Sequence, residues 1–276
     1  MIEVENVSKD YGFARGIFNV SFSVEKGEVL GYLGPNGAGK TTTIRHLMGF
    51  CKADEGQCFI KGLRCKEDAS QIMLSVGYLP GEIALPENLT GDQFIMMMSG
   101  LRACKNKEYV EELCKIFELD LRGKTKRMSL GNKRKLALVT ALAHDPEILI
   151  LDEPTSALDP VMQERFITFL KKEKERGKII LLSSHIFSEV DAICDRIIII
   201  KDGKLVASVR TDEIRHNQNK IYVSTVDRVK REYAIHDSKI NDFILELSQH
   251  NITDFSERKF TLENYFMKFY EKEERQ

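Results

Sequence analysis

Apolar positions along this chain switch between two rhythms. Residues 1–33 alternate short apolar runs with turns, one marked by Lys26-Gly27, and this predicts two or three strands. The last run, 29–33, reads as a buried strand. From Thr42 to Met48 the pattern turns helical and stops near Gly49. Residues 57–80 return to strand and end at Tyr78-Leu79-Pro80. Between 91 and 145 helical spacing takes over. Phe94, Met97, Met98 and Leu101 share one face, as do Val110, Leu113, Cys114 and Phe117. This segment reads as a helical insertion, with Met96, Met97 and Met98 as adaptable core. Strand signals come back at 148–151, 179–182 and 196–200, and Asp202-Gly203 between two apolar runs predicts a tight hairpin. The run 171–176 mixes both charge signs and reads as a solvated helix end. Residues 211–276 form a small appended unit. It ends in a helix capped by Thr261, with Leu262, Tyr265, Phe266, Phe269 and Tyr270 on one face, a stripe expected to pack on the chain's own core.

Composition narrows the classes. The chain has 276 residues, enough for one or two domains, and 42% hydrophobic with 30% charged content is ordinary for a globular protein. A net charge of −1 offers no electrostatic case for nucleic acid as a partner. The six cysteines show no C-x-x-C, and Cys51, Cys58 and Cys65 lie too far apart for a metal motif, so reduced thiols are expected. No apolar stretch approaches the ~18 residues that span a bilayer. No basic segment followed by an apolar core opens the chain, so a secretory signal is not expected.

The strongest chemical signal is Gly34-Pro35-Asn36-Gly37-Ala38-Gly39-Lys40-Thr41, which matches G-x-x-x-x-G-K-[ST]. Glycines let backbone N–H groups turn onto phosphate oxygens. Lys40 is placed to reach the β- and γ-phosphates and Thr41 to ligate Mg²⁺. A strand precedes the loop and a helix follows, so the helix N-terminus faces the anion. Residues 148–153 form an apolar strand ending in Asp152 and Glu153. Laid parallel to the strand that precedes the glycine loop, it puts Asp152 near the metal and Glu153 near the γ-phosphate, where it can deprotonate a water. Ser183-Ser184-His185 closes another strand, where a neutral imidazole can hydrogen-bond the phosphate or the water.

With Met128-Ser129-Leu130-Gly131-Asn132, followed by a helix, the chain resembles the ATP-binding cassette family, the nucleotide-binding subunits of ABC transporters. The resemblance covers about residues 1–210. Gly34–Thr42 is similar to its Walker A loop, Asp152-Glu153 to its Walker B end and catalytic glutamate, 156–159 to its D-loop, and His185 to its switch histidine. Tyr11 stands where the family stacks an aromatic ring on adenine. Two motifs depart. The signature is usually Leu-Ser-Gly-Gly-Gln, whereas Leu130 here disfavours a positive φ. After Pro80 the family commonly has a glutamine that touches Mg²⁺; here Gly81 and Glu82 follow, and Glu82 is the expected substitute, reaching the metal through water.

The resemblance implies an α/β fold: a P-loop NTPase RecA-like core with an antiparallel β subdomain and an inserted helical subdomain at about 81–145, plus a short C-terminal α+β unit over 211–276. It implies an ATPase using ATP and Mg²⁺, in which two subunits, identical or not, close head to tail. Ser129 and Gly131 of one copy would face the γ-phosphate held by Lys40 of the other, and a helix beginning after Asn132 would aim its positive end there. It also implies a separate multi-spanning membrane permease that keeps the chain on the inner face of the cell membrane, with export as the expected direction. A soluble ABC ATPase, such as an iron–sulfur assembly ATPase, stays open as an alternative. Glu153, Thr41 and His185 argue against a non-hydrolysing sensor.

Overall fold

The computed structural model describes residues 1–102, 106–216, 220–226, 229–235 and 239–258. The expected helix after Thr261 and its aromatic stripe lie outside those residues. The chain divides into two compact units, Met1–Ser208 and Val209–Gln276.

The first unit runs β1 (Ile2–Asp10), β2 (Gly16–Val24), β3 (Val29–Leu33), α1 (Lys40–Leu47), β4 (Glu55–Ile60), β5 (Leu63–Arg64), α2 (Ala69–Ile72), β6 (Val76–Leu79), α3 (Gly91–Leu101), α4 (Lys107–Ile116), α5 (Leu130–Leu142), β7 (Ile148–Asp152), α6 (Pro160–Glu175), β8 (Ile179–Ser184), α7 (Phe187–Ile193), β9 (Arg196–Lys201) and β10 (Lys204–Arg210). Two sheets result. One has the order β2-β1-β4-β5, with antiparallel neighbours. The other has the order β10-β9-β3-β8-β7-β6 and is parallel from β9 to β6.

Every residue of β3, β7 and β8 is buried, as a parallel sheet covered on both faces requires. Alternation along the strands sorts the side chains. Leu30, Tyr32, Ile148, Ile150, Leu181 and Ile198 enter one core with Ile44 and Leu47 of α1 and with Ile2, Val4 and Val24 of the antiparallel sheet. On the far side α7 lies against β3 and β8. Asp202 (φ 49°) and Gly203 (φ 73°) both take left-handed backbone in the two-residue turn between β9 and β10, as the dipeptide predicts.

Four expectations need correction. Helix α1 starts at Lys40, two residues before the apolar pattern does, because Gly39 serves as its N-cap at φ 110°. A Cβ at Gly39 would also lie 2.7 Å from Ile17 Cγ2, so both conformation and space require glycine. Helix α5 likewise starts at Leu130, capped by Ser129, whose hydroxyl accepts from Asn132 N at 3.2 Å. The methionines of α3 are not core: Phe94 and Ile95 are buried, but Met96 is 64% and Met97 43% exposed, and Leu101 is also exposed. Glycine 91 sits against Leu121, so the N-terminal turn of α3 is packed while its far end runs out to solvent. In the run 171–176, Glu173 is buried. It is held by Arg176 at 2.9 Å and by Lys178, which also pairs with Asp145 at 2.5 Å. A buried carboxylate needs such cations to offset its desolvation.

The second unit contains α8 (Thr211–His216), β11 (Lys220–Val226), β12 (Val229–Ile235), α9 (Ile240–Leu247) and β13 (Ile252–Arg258). Its antiparallel sheet has the order β12-β11-β13. Tyr222 stacks on Phe255 with centroids 5.4 Å apart, and Phe243 and Leu247 of α9 complete a small core.

The helical insertion meets the main sheet through His144. Its Nε2 donates to Val76 O on β6 at 3.2 Å, and its Nδ1 accepts from Arg102 Nη1 beyond α3 at 3.2 Å. Burial, then the Arg102 charge, hold its pKa down to about 4; Lys178 adds to this and Asp145 opposes it. Above about pH 6.5 the imidazole is neutral whether the chain is folded or not. Below that, the unfolded chain takes up a proton that the folded chain refuses until about pH 4. Stability therefore falls as pH drops through this window. His144→Gln, which can donate and accept at the same places, should flatten that part of the melting-temperature profile relative to wild type. Parallel profiles for the two proteins would show that His144 carries none of the dependence.

Candidate functional site

Strand register brings the chemistry to one edge. Leu33 pairs with Ser184 and Asp152 with Ser183, so β3, β8 and β7 end side by side. Beyond β3 the loop 34–39 is anchored by Gly34 N donating to Ser184 O at 3.3 Å and by Ala38 O accepting from Gly203 N at 3.0 Å. Pro35, Asn36 and Gly37 are exposed, and Ala38 is buried. Thr41 and Thr42 follow in the first turn of α1, where no acidic residue opposes an anion.

The side chains of Lys40, Thr41, Asp152, Glu153, Ser183 and His185 meet here. Lys40 is buried and donates to Gly34 O at 2.7 Å and Pro35 O at 3.2 Å. Its Nζ also lies 3.1 Å from Glu153 Oε1. That oxygen is buried and accepts no hydrogen bond, so the contact is an ion pair outside hydrogen-bonding geometry. The other oxygen, Oε2, is 2.7 Å from His185 Nδ1. Glu153 has a left-handed backbone (φ 49°), which turns the chain as β7 ends. Asp152 is fully buried; Oδ2 accepts from Thr41 Oγ1 at 2.7 Å and Oδ1 from Ser183 Oγ at 2.5 Å. Ser183 Oγ in turn accepts from Glu153 N at 3.1 Å. Below this layer Glu189 of α7, also buried, accepts from Thr155 at 2.5 Å and Ser184 at 2.8 Å.

Four other expected site residues, Tyr11, Ser129, Gly131 and Glu82, lie outside this cluster. Tyr11 is 52% exposed in the turn between β1 and β2, with Lys9 Nζ 5.8 Å from its ring centroid. Burial and the neighbouring Cys51 raise its phenol pKa. Ser129 is exposed at the start of α5. Leu130 takes helical backbone there, which removes any need for a positive φ. Gly131 faces its own chain: a Cβ would lie 3.0 Å from Ala157 O. On the loop after β6, Gly81 lies against Asp152, a Cβ there being 3.1 Å from Oδ2, whereas Glu82 is exposed.

The donor set suits a nucleoside triphosphate with Mg²⁺. Buried Lys40 beside a glycine loop supplies positive charge and amide donors. Thr41 and Asp152 would supply hard oxygens to a metal that keeps several waters. Among the described residues no cluster of three or more His, Cys, Asp or Glu forms a protein-only metal site.

Sequence patterns did not single out Arg134 or Glu189. Arg134 lies within Lys133-Arg134-Lys135, a run that looks solvated. Yet it is buried, and its guanidinium donates to the carbonyls of Pro80, Gly81, Asp152, Glu153 and Pro154. The sequence pattern puts Ser183 at a strand end, but its bonds to Asp152 Oδ1 and Glu153 N come only from the fold. Ser183→Ala should leave a buried carboxylate oxygen short of a donor, at a cost of about 1–3 kcal/mol in urea unfolding. An unchanged urea midpoint would mean that Thr41 alone satisfies Asp152.

Comparison with known proteins agrees with this geometry. The ABC transporter family profile matches residues 17–156. The bacitracin transport ATP-binding protein BcrA of Enterococcus faecalis is 34% identical over 271 residues, covering 96% of this chain and 84% of that protein. The linearmycin resistance ATP-binding protein LnrL of Bacillus subtilis (strain 168) is 37% identical over 218 residues, covering 77% and 70%. A dimeric post-hydrolysis structure of the ATP-binding cassette MJ0796 with ADP and Pi superposes with a TM-score of 0.69 at 26% identity, covering 76% of this chain and 99% of that one. This chain therefore belongs to the ABC transporter family and is one of its ATP-hydrolysing subunits.

Proposed function

We propose that this subunit powers export of a small molecule or peptide through a separate multi-spanning membrane permease, as one of two ATPase subunits that close head to tail. The observation that carries the chemistry is the meeting of Lys40, Thr41, Asp152, Glu153 and His185 at one sheet edge. The direction rests on likeness to BcrA and LnrL, and the pairing on likeness to the dimeric cassette. No described helix is long and apolar enough to cross a membrane, so the permease would hold the chain at the inner face.

Each residue has a role in this reading. Lys40 and backbone N–H groups between Asn36 and Thr42 take the β- and γ-phosphates, and Tyr11 stacks on adenine. Thr41 and Asp152 would hold Mg²⁺, with Glu82 as a further candidate through water, and the ion would supply charge neutralisation to the phosphate oxygens. Ser129 and Gly131 of the second copy face the γ-phosphate. Glu153 takes a proton from water through Oε1 as the water oxygen bonds to the γ-phosphorus. The bond from that phosphorus to the bridging oxygen breaks, leaving ADP and phosphate. His185 holds Oε2 and so aims the carboxylate.

Binding is also an exchange, because ATP must draw Lys40 away from Glu153. Glu153→Gln removes the base and the competing charge together. Turnover should fall by ~10²–10⁴, the usual worth of a positioned base. ATP binding should be at least as tight as in wild type, and a nucleotide-bound dimer should accumulate on size-exclusion chromatography. Near-normal turnover would remove Glu153 from its role.

A further inference from the structure

Position 81 carries no side chain that could report on the metal, yet the loop after β6 is not detached from the site. Arg134, the fifth residue of α5, lies between this loop and the one after β7 and is 2% exposed. Its Nη1 donates to Pro80 O at 2.8 Å and Gly81 O at 3.0 Å. Its Nη2 donates to Asp152 O at 2.9 Å and to Glu153 O. Its Nε donates to Pro154 O at 3.2 Å. A guanidinium has five N–H donors in one rigid plane, and here each finds a carbonyl. Two of these carbonyls belong to the loop after β6 and three to the turn that carries Glu153. Burial draws the Arg134 pKa down to about 10, opposed by Asp152 and Glu153, so the group stays charged at neutral pH.

We propose that Arg134 is a positioning residue that makes the Gly81 loop and the Glu153 turn move as one body. A displacement of the loop after β6 then reaches the Glu153 carboxylate through a shared guanidinium, not through a side chain at position 81. This rests on Glu153 being the base. Lysine cannot replace the fork, since a point charge with three donors cannot span five carbonyls in a plane. Glutamine brings two donors and sets its own oxygen among the carbonyls.

Hydrogen–deuterium exchange of the full chain tests this without relying on activity. In wild type, residues 80–84 and 153–157 should open together, and a non-hydrolysable ATP analogue with Mg²⁺ should slow both. In Arg134→Lys and Arg134→Gln both segments should exchange at least about tenfold faster, and the analogue should no longer slow 80–84. In the same variants kcat should fall at least about tenfold while ATP affinity stays within about threefold. A change confined to one segment, no change in either, or faster exchange across the whole unit in step with a lower melting temperature would overturn the proposal. Should neither variant fold, wild type decides, because segments that open at different rates are not one body. Turnover that survives in Glu153→Gln would instead remove the base and leave the exchange result to decide the coupling of the two segments alone.

Discussion

A buried carboxylate must be fully hydrogen-bonded or it costs several kcal/mol, and Asp152 is buried completely. Its two oxygens draw Thr41 from the start of α1 and Ser183 from the end of β8. Those bonds lock the glycine loop, β7 and β8 into one rigid edge. Through Ser183 the same carboxylate also fixes the amide of Glu153, whose backbone turns away from β7. Parallel pairing makes this possible, because it delivers the C-terminal ends of three buried strands to the same side.

The consequence is a site whose charges are already paired. Lys40 is held by two carbonyls and a carboxylate, and the Thr41 hydroxyl by another carboxylate. In the proposed reading, ATP with Mg²⁺ would bind by replacing these partners with stronger ones. Phosphate oxygens carry more charge than the carbonyls that hold Lys40, and a divalent ion between Thr41 and Asp152 does more than one hydrogen bond. Because Glu153 also touches His185, the exchange would release the carboxylate toward water while the imidazole keeps its direction.

Much of this was legible in the residues. The glycine loop, the apolar strand ending in Asp152-Glu153 and the Asp202-Gly203 hairpin each have one dominant local cause, and local causes leave sequence patterns. What stayed hidden depends on tertiary context. Arg134 sits in a basic run and looks solvated until two loops place five carbonyls around it. Glu173 looks like half of a solvated pair until Arg176 and Lys178 enclose it. Met96 and Met97 share the apolar character of core residues, but only the N-terminal turn of α3 finds a surface to pack on. Helices α1 and α5 begin before their apolar pattern does, because Gly39 and Ser129 cap them.

The central claim is that nucleotide and metal displace the internal partners of Lys40 and Thr41. A crystal structure of Glu153→Gln with Mg²⁺ and ATP measures this directly. The Thr41 Oγ1 to Asp152 Oδ2 contact, 2.7 Å here, should open to admit the metal between the two oxygens, and Lys40 Nζ should move onto phosphate oxygens. A direct Thr41–Asp152 hydrogen bond that persists with nucleotide bound, or a Lys40 still held by the Gly34 and Pro35 carbonyls, would contradict it.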